Sequence, residues 1–285
     1  MQPDVHQWSV QIESALEQYL PLATKPGAEE LNAAVRYAVF SGGKRMRPVL
    51  ALAASKLVGG DVMQALRIGA AMEYLHTASL ILDDLPGMDD SPERRERPST
   101  HVQFNEGVAV LAAMALLNHT YALLAECANG RRLIRLACEC IGHGGMVAGQ
   151  TIDLMQPPSE RIEVRHEHYL KTTALFRLAM LAPALASDCA DEDREALAEY
   201  GVSAGMAYQL IDDAHDLETD TRRYGDWDGL TPARLRENAM GWVDRAKQVL
   251  HTRFGDHPQA RVLSEFADWL VAGAQTAKAA RQESA

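Results

Sequence analysis

Two acidic runs stand out in this 285-residue chain: Asp83-Asp84-Leu85-Pro86-Gly87-Met88-Asp89-Asp90 and Asp212-Asp213-Ala214-His215-Asp216. Each closes an apolar stretch, Ser79-Leu80-Ile81-Leu82 for the first and Ala207-Tyr208-Gln209-Leu210-Ile211 for the second. Carboxylates crowded this closely repel one another, and some hold their protons at neutral pH unless positive charge sits between them. Near a helix end they also oppose the macrodipole, which favours cations there. A single charge run ordinarily means a solvated helix end. The same local rule broken twice, each time behind a helix that should be buried, points instead to a site. The natural relief is a hard divalent cation bound through oxygen. On a helix Asp212 and Asp216 stand one above the other, and Asp213 is three residues from Asp216, so the three carboxylates can converge. Asp83, Asp84 and Asp89 have a longer spacer and converge only through a bend, which Pro86-Gly87 supplies. Neither run offers a full cage of six oxygens. That favours Mg²⁺ that keeps some waters and shares a substrate phosphate.

Cations are grouped as well. Gly42-Gly43-Lys44-Arg45-Met46-Arg47-Pro48 sets fixed charge beside permissive backbone at a helix start, a place that already attracts anions. Arg94-Arg95 and Lys171-Thr172 add charge and a hydroxyl, and His76 lies two turns before Asp83. Any one of these alone reads as a basic turn or a packed histidine. His166 and His168 are spaced poorly for two ligands on one helix face. The formal net charge is -11. Such an acidic chain lacks the basic face that phosphate-backbone binding needs, so nucleic acid is not an expected partner. Small basic clusters on an acidic protein suggest a small anionic ligand. The four cysteines form no CxxC pair and read as thiols in a reducing compartment. Residues 1 to 13 are polar and mixed, with no signal-peptide pattern. The longest apolar run, Val108 to Leu117, is too short to span a bilayer. A soluble, cytoplasmic protein without stable membrane insertion is expected.

The elements that must position these residues are helical. The chain is rich in Ala and Leu, poor in β-branched runs, and shows 3.6-residue periodicity rather than alternation. Helices are expected over His6 to Tyr19, Ala28 to Phe40, a stretch beginning near Pro48, and Val62 to Leu82 with Asp61 as N-cap. Val102 to Ala128 follows, interrupted around Gly107. Arg131 to Leu154 reads as a single helix weakened by Gly142, Gly144, Gly145 and Gly149. The remaining helices are Glu163 to Leu185, Asp191 to Thr219, Pro232 to Phe254 and Pro258 to Arg281. Ser91 to Thr100 and Thr221 to Thr231 read as polar loops. No composition shift divides the chain. The expectation is all-α: one domain over residues 1–285, a bundle of roughly ten or more helices.

Gly42 to Pro48, His76 to His101, Gly149-Gln150-Thr151-Ile152-Asp153-Leu154, Lys171 to Phe176 and Tyr208 to Asp216 together resemble the trans-isoprenyl diphosphate synthases, in particular the bacterial geranylgeranyl diphosphate synthases. The resemblance runs in order from about residue 30 to 220. It implies an all-α prenyltransferase fold, usually a homodimer, with two aspartate motifs facing each other across a deep central cavity. By that resemblance Asp83, Asp84 and Asp89 form the first Mg²⁺ motif, and Asp212, Asp213 and Asp216 the second. Three ions per site would be held, partly through the diphosphate. Lys44, Arg47, His76 and Arg95 would take the diphosphate of isopentenyl diphosphate. Arg94, Lys171, Thr172 and Gln209 would meet the allylic diphosphate. The implied chemistry is ionisation, condensation and elimination, lengthening the chain by five carbons.

Three departures from the family pattern stand out. Glu96 stands where a glycine usually follows the arginine pair. Arg222 or Arg223 replaces a lysine after the second motif, with a different geometry. Near Leu230 a further lysine is missing. A weakly active or regulatory subunit of a heteromer is therefore an alternative, and a terpene cyclase a more distant one, since a cyclase needs no isopentenyl site. Product length is set by what meets the growing tail. Ala78 and Ser79, one turn before the first motif, are both small, which favours geranylgeranyl diphosphate (C20) over farnesyl diphosphate (C15).

Overall fold

The computed structural model describes residues 3–155, 165–219 and 231–282; the side chains of 3–6, 165–169, 216, 218–219 and 273–282 are not among those described. Arg222, Arg223 and Leu230 therefore lie outside the described residues. The fold is all-α. The helices are α1 (Pro3–Gln18), α2 (Glu29–Val39), α3 (Met46–Leu57) and α4 (Val62–Asp83), then α5 (Thr100–Gln103), α6 (Glu106–Ala125), α7 (Gly130–Ile141) and α8 (Met146–Met155). They are followed by α9 (Arg165–Ala186), α10 (Asp191–Thr219), α11 (Pro232–Phe254) and α12 (Pro258–Gln282). Between α4 and α5 lies a two-stranded hairpin, β1 (Glu93–Arg94) and β2 (Arg97–Pro98).

Local chemistry accounts for most boundaries. Asp61 caps α4, its Oδ1 accepting from the Gln64 amide at 2.8 Å. Thr231 caps α11 in the same way, with Pro232 in the first turn. Two expectations need correction. The stretch from Arg131 to Leu154 is two helices, because Gly142 to Gly145 break the chain between Ile141 and Met146. A run of glycines costs about 1 kcal/mol per residue against alanine in a helix, more than the flanking apolar residues recover there. The break near Gly107 falls two residues earlier: Asn105 caps α6 by accepting from the Val108 amide at 2.9 Å.

The core joins elements distant in sequence. Trp8, Ile12 and Leu16 of α1 pack with Leu50 and Leu52 of α3 and with Ile68, Met72 and Leu75 of α4 in one buried apolar cluster. The Tyr74 hydroxyl donates to the Leu16 carbonyl at 2.6 Å and ties α4 to α1. The Tyr200 hydroxyl donates to the Leu263 carbonyl at 2.7 Å and ties α10 to α12. Each buried bond of this kind contributes on the order of 1 kcal/mol, and its loss leaves a buried carbonyl unsatisfied. α9 packs against α10, α8 and α3, and α4 packs against α6 and α3. The helices that carry the two acidic runs, α4 and α10, are thus held in place by shared contact with α9.

Candidate active site

α4 ends within the first acidic run. Asp83 is its last residue and Asp84 its C-cap. Pro86-Gly87 turns the chain back, so that the Asp89 amide donates to the Asp83 carbonyl at 2.9 Å. Asp90 adopts a left-handed conformation, φ 48°. The bend that the spacing required is present. Opposite, α10 carries Asp212 and Asp213.

Between them lies a cavity of about 900 Å³. Asp83 and Asp89 of the first acidic run and Asp212 and Asp213 of the second all line it. Lys44, Arg47, His76, Arg94, Arg95, Lys171, Thr172 and Gln209 also face it. One turn inward from the charged positions, Ser79 of α4 and Leu175 of α9 add apolar or small surface, joined by Met146 of α8. Among the described residues no three acidic, histidine or cysteine side chains converge on one metal position. Asp216 follows Asp212 by one turn on α10, but its side chain is not among those described.

Two sequence expectations change. Asp84 does not line this cavity; it is buried and faces a smaller pocket beside Tyr37 and Ser99. Adjacent residues at a helix end point about 100° apart, and here Asp84 is turned away from the cavity toward the hairpin. Asp84 pairs with Arg94, which donates to it through Nε at 3.0 Å and through Nη2. Ala78 is not among the cavity-lining residues either. It is 2% exposed and packed in the core between helices. Ser79, its neighbour, takes the position at the wall.

The remaining candidates form linked groups. Lys171 Nζ lies 3.2 Å from Asp83 Oδ2 and bridges α9 to α4. Burial raises the Asp83 carboxyl above its ordinary range and the nearby Asp89 charge adds to this, while Lys171 pulls it back. The Thr172 hydroxyl donates to Gln209 Oε1, and Gln209 Nε2 donates to Asp213 Oδ1 at 2.9 Å. This chain of bonds fixes α9 against the second acidic run. Lys44 holds its ammonium 4.9 Å from the Trp269 ring centroid, a cation–π contact at the cavity rim. Arg47 is buried, stacked 5.5 Å from the Phe176 ring centroid, and its Nε has no hydrogen-bond partner. Burial drives the His76 ring well below its ordinary pKa, and the charges of Arg47, Arg95, Arg94 and Arg45 act in the same direction. It is therefore a neutral ring among cations.

Arg95 reaches back across the β1–β2 turn to the Gly42 carbonyl. A β-carbon on Gly43 would lie 2.8 Å from Arg95 Nη1, so the glycine lets the guanidinium lie against the backbone. Several cavity residues were missed in the sequence: Glu73, Tyr208, Asp153, Met146 and Leu175. Glu73 had a usable signal, a lone carboxylate within the apolar run from Ile68 to Leu75 and three residues before His76. The glycines Gly201 and Gly205 carried another. They sit one turn apart on α10, and β-carbons there would lie 2.8 Å from the Cα atoms of Arg177 and Thr173 on α9.

A divalent cation fits the donor set. Asp83, Asp89, Asp212 and Asp213 are hard oxygen donors facing one cavity, and cationic groups stand ready for a phosphate shared with the metal. The arrangement can collect metal and a polyanion in a cavity that also offers apolar side chains.

A family model described as polyprenyl synthetase matches residues 28–227. Geranylgeranyl pyrophosphate synthase 11, chloroplastic, of Arabidopsis thaliana is 39% identical over 254 residues, covering 84% of this chain and 70% of that protein. Geranylgeranyl pyrophosphate synthase 12, chloroplastic, of the same plant is 39% identical over 235 residues, 77% of this chain and 65% of its own length. The chain thus spans 70% and 65% of the lengths of these two relatives. The crystal structure of an FPP/GFPP synthase from Zymomonas mobilis superimposes with a TM-score of 0.82 at 32% identity, over 93% of this chain and 96% of that one. The family match takes in both acidic runs and the cationic positions between them, and the chain belongs to the polyprenyl synthetase family.

Proposed function

We propose that this chain is a trans-prenyltransferase that condenses isopentenyl diphosphate with an allylic diphosphate, with geranylgeranyl diphosphate (C20) as product. The observation that carries this reading is the mixed lining of one cavity. Carboxylates of both acidic runs and a set of cationic side chains line it together with Ser79, Met146 and Leu175. Asp83, Asp89, Asp212 and Asp213, with Asp216 from the sequence, would hold Mg²⁺ ions, three per site in the fullest reading. When bound these supply positive charge to the departing diphosphate.

The chain's own residues account for the rest. Lys171, paired with Asp83, would leave it to meet the allylic diphosphate, where fixed charge lowers the barrier to breaking the allylic C–O bond. Diphosphate departs with the bonding pair. The isopentenyl double bond attacks the allylic cation to form the new C–C bond. A proton is then lost to the released diphosphate, and a double bond forms. Arg47, Arg95 and the neutral His76 would orient the isopentenyl diphosphate. The apolar residues of the lining would keep water from the cation.

The geranylgeranyl pyrophosphate synthases among the relatives favour C20, while the similar Zymomonas mobilis structure is of an FPP/GFPP synthase. Purified protein with MgCl₂, labelled isopentenyl diphosphate and C5, C10 or C15 primers should give a C20 product. Failure to elongate any primer overturns the reading. Because Ser79 and not Ala78 reaches the wall, Ser79→Phe should shorten the product. Ala78→Phe should instead cost about 1–3 kcal/mol of stability through overpacking.

We also propose that the chain acts as a homodimer. Gly107, Leu111, Met114 and Asn118 form an exposed stripe on the side of α6 turned away from the core. α6 is long and apolar enough to cross a membrane, yet its other face buries Ala109, Ala112, Ala113 and Leu116, and Thr120 donates to the Ala71 carbonyl of α4. A helix so integrated is a core helix, and a two-fold axis lets its outer stripe bury itself against a second copy.

A further inference from the structure

The cationic wall of the cavity contains a carboxylate that neither the metal chemistry nor the substrate contacts explain. Glu73 lies on α4, ten residues before Asp83, and is 2% exposed, yet it lines the same cavity as Arg45, Arg47, Arg95 and His76. Arg45 Nη1 donates to Glu73 Oε1 at 3.0 Å. Arg45 is not short of acceptors. Its Nε donates to Glu13 at 2.7 Å, and its Nη2 donates to the Val39 carbonyl at 2.8 Å. Glu13 alone could neutralise Arg45, from the solvent side of the structure, where it is 47% exposed. A second, deeply buried carboxylate costs several kcal/mol of desolvation unless its charge is used.

Two further guanidinium groups, Arg47 and Arg95, line the same cavity as Glu73. Arg47 is buried, its Nε is unpartnered, and its neighbour across the cavity wall is another guanidinium, Arg95. Burial and then the Arg95 charge work against the Arg47 guanidinium, and burial, Arg45 and Arg94 work against Arg95, while the Glu73 charge favours both. Lining the cavity with Glu73 are Lys44, Arg45 and Arg47 from the α2–α3 turn and α3, and Arg94 and Arg95 from the hairpin, while Glu13 of α1 reaches Arg45 from outside.

We propose that Glu73 is a positioning residue, the resident counter-ion of the Arg47–Arg95 wall, which keeps these guanidinium groups assembled when no diphosphate is bound. It rests on the reading of this cavity as a diphosphate site. A fixed anion beside an anion site holds the cations in place for the ligand and weakens the ligand's hold by repulsion. Buried charge left unpaired is strongly destabilising, so the counter-ion also lets two arginines stand close in the empty protein.

The test is binding of inorganic diphosphate by calorimetry in metal-free buffer, comparing wild type, Glu73→Gln and Glu13→Gln. Glu73→Gln keeps the shape and an acceptor for Arg45 and removes only the charge. It should bind diphosphate at least fivefold more tightly and lose its advantage at high salt. It should melt earlier than wild type when empty and recover that difference with diphosphate. Glu13→Gln, at the exposed end of Arg45, should bind within twofold of wild type. Affinity of Glu73→Gln equal to or weaker than that of wild type overturns the inference. Absence of binding by wild type as well overturns the diphosphate-site reading, and this inference with it. Should Glu73→Gln not fold alone, Glu73→Gln/Arg47→Met removes one charge of each sign. Recovery of folding supports the counter-ion role, and failure to recover counts against it.

Discussion

At the scale of single residues, the β1–β2 turn carries a local cost. Arg95 and Glu96 both have positive φ, 56° and 61°. A two-residue hairpin loop with both central residues left-handed is the turn that favours Asn-Gly, because residues with a β-carbon resist that conformation. The departure at Glu96 therefore leaves the turn geometry in place and adds strain. Glu96→Gly should raise stability by about 1 kcal/mol, since glycine adopts that conformation without the β-carbon penalty. Urea denaturation reads it directly, and an unchanged or lower midpoint would mean that the hairpin absorbs the strain elsewhere. His76 gives the second prediction at this scale. Its pKa in the folded protein lies well below the ordinary value, first through burial and then through the surrounding arginines. The unfolded chain therefore binds the proton first. The neutral ring contributes stability that is fully present above about pH 6.5 and is lost as pH falls from there toward the folded-state value. The fall in thermal midpoint between about pH 7.5 and pH 5.5 should be smaller in His76→Gln than in wild type. An equal fall in both would assign the pH dependence to the carboxylates alone.

At the scale of elements, the site depends on how closely α10 approaches α9. Gly201 and Gly205 remove the β-carbons that would otherwise meet the α9 backbone. This brings Thr172 within reach of Gln209, which in turn holds Asp213. Gly205→Ala should force the helices apart at Thr173 and cost about 2 kcal/mol, as overpacking of a close contact does. It should also lower kcat steeply, because displacement by about 1 Å can cost on the order of 100-fold in rate. Gly241→Ala is the control. A β-carbon at that position on α11 would meet nothing within 4 Å, so stability should hold or rise by up to about 1 kcal/mol from helix propensity. Denaturation and steady-state kinetics on both variants separate close packing from a general intolerance of alanine. The helices themselves were readable from periodicity and caps: α10 runs over Asp191–Thr219 as its pattern indicates, and Asp61 caps α4 as its position indicates. Less was readable where local and tertiary terms compete. Between Ile141 and Met146 apolar periodicity argued for one helix and the glycines against it, and the backbone followed the glycines. Adjacent Asp83 and Asp84 look equivalent in sequence. Only the placement of Arg94 across the hairpin decides that one faces the cavity and the other does not. Glu73 shows in the sequence only as a lone carboxylate within an apolar run, and its partner becomes visible only when Arg45 of a distant turn folds against it.

At the scale of the whole molecule, the two acidic runs and the outer stripe of α6 pose linked questions. α4 delivers the first run to the cavity, and α6 packs along α4 on its far side. The Thr120 bond to the Ala71 carbonyl, at 3.1 Å, joins the two helices in the middle. Whatever covers the outer face of α6 therefore stiffens, at one remove, the helix that carries Asp83. Leu111 and Met114 are 56% and 53% exposed, three residues apart on one face. Two large apolar side chains so placed would be a solubility cost in a monomer. A second copy related by a two-fold axis presents the same two residues to the first and removes that cost without a separate complementary partner. Leu111→Glu/Met114→Glu places like charges opposite each other across such an axis while leaving the buried face of α6 untouched. The variant should run at half the mass of wild type by light scattering. It should also lose stability in proportion to dilution less steeply than wild type, because folding and association are coupled only in the dimer. A monomeric wild type, or a double variant that keeps the wild-type mass, assigns the α6 stripe to some other role and leaves Asp83 supported by α9 and α6 of its own chain.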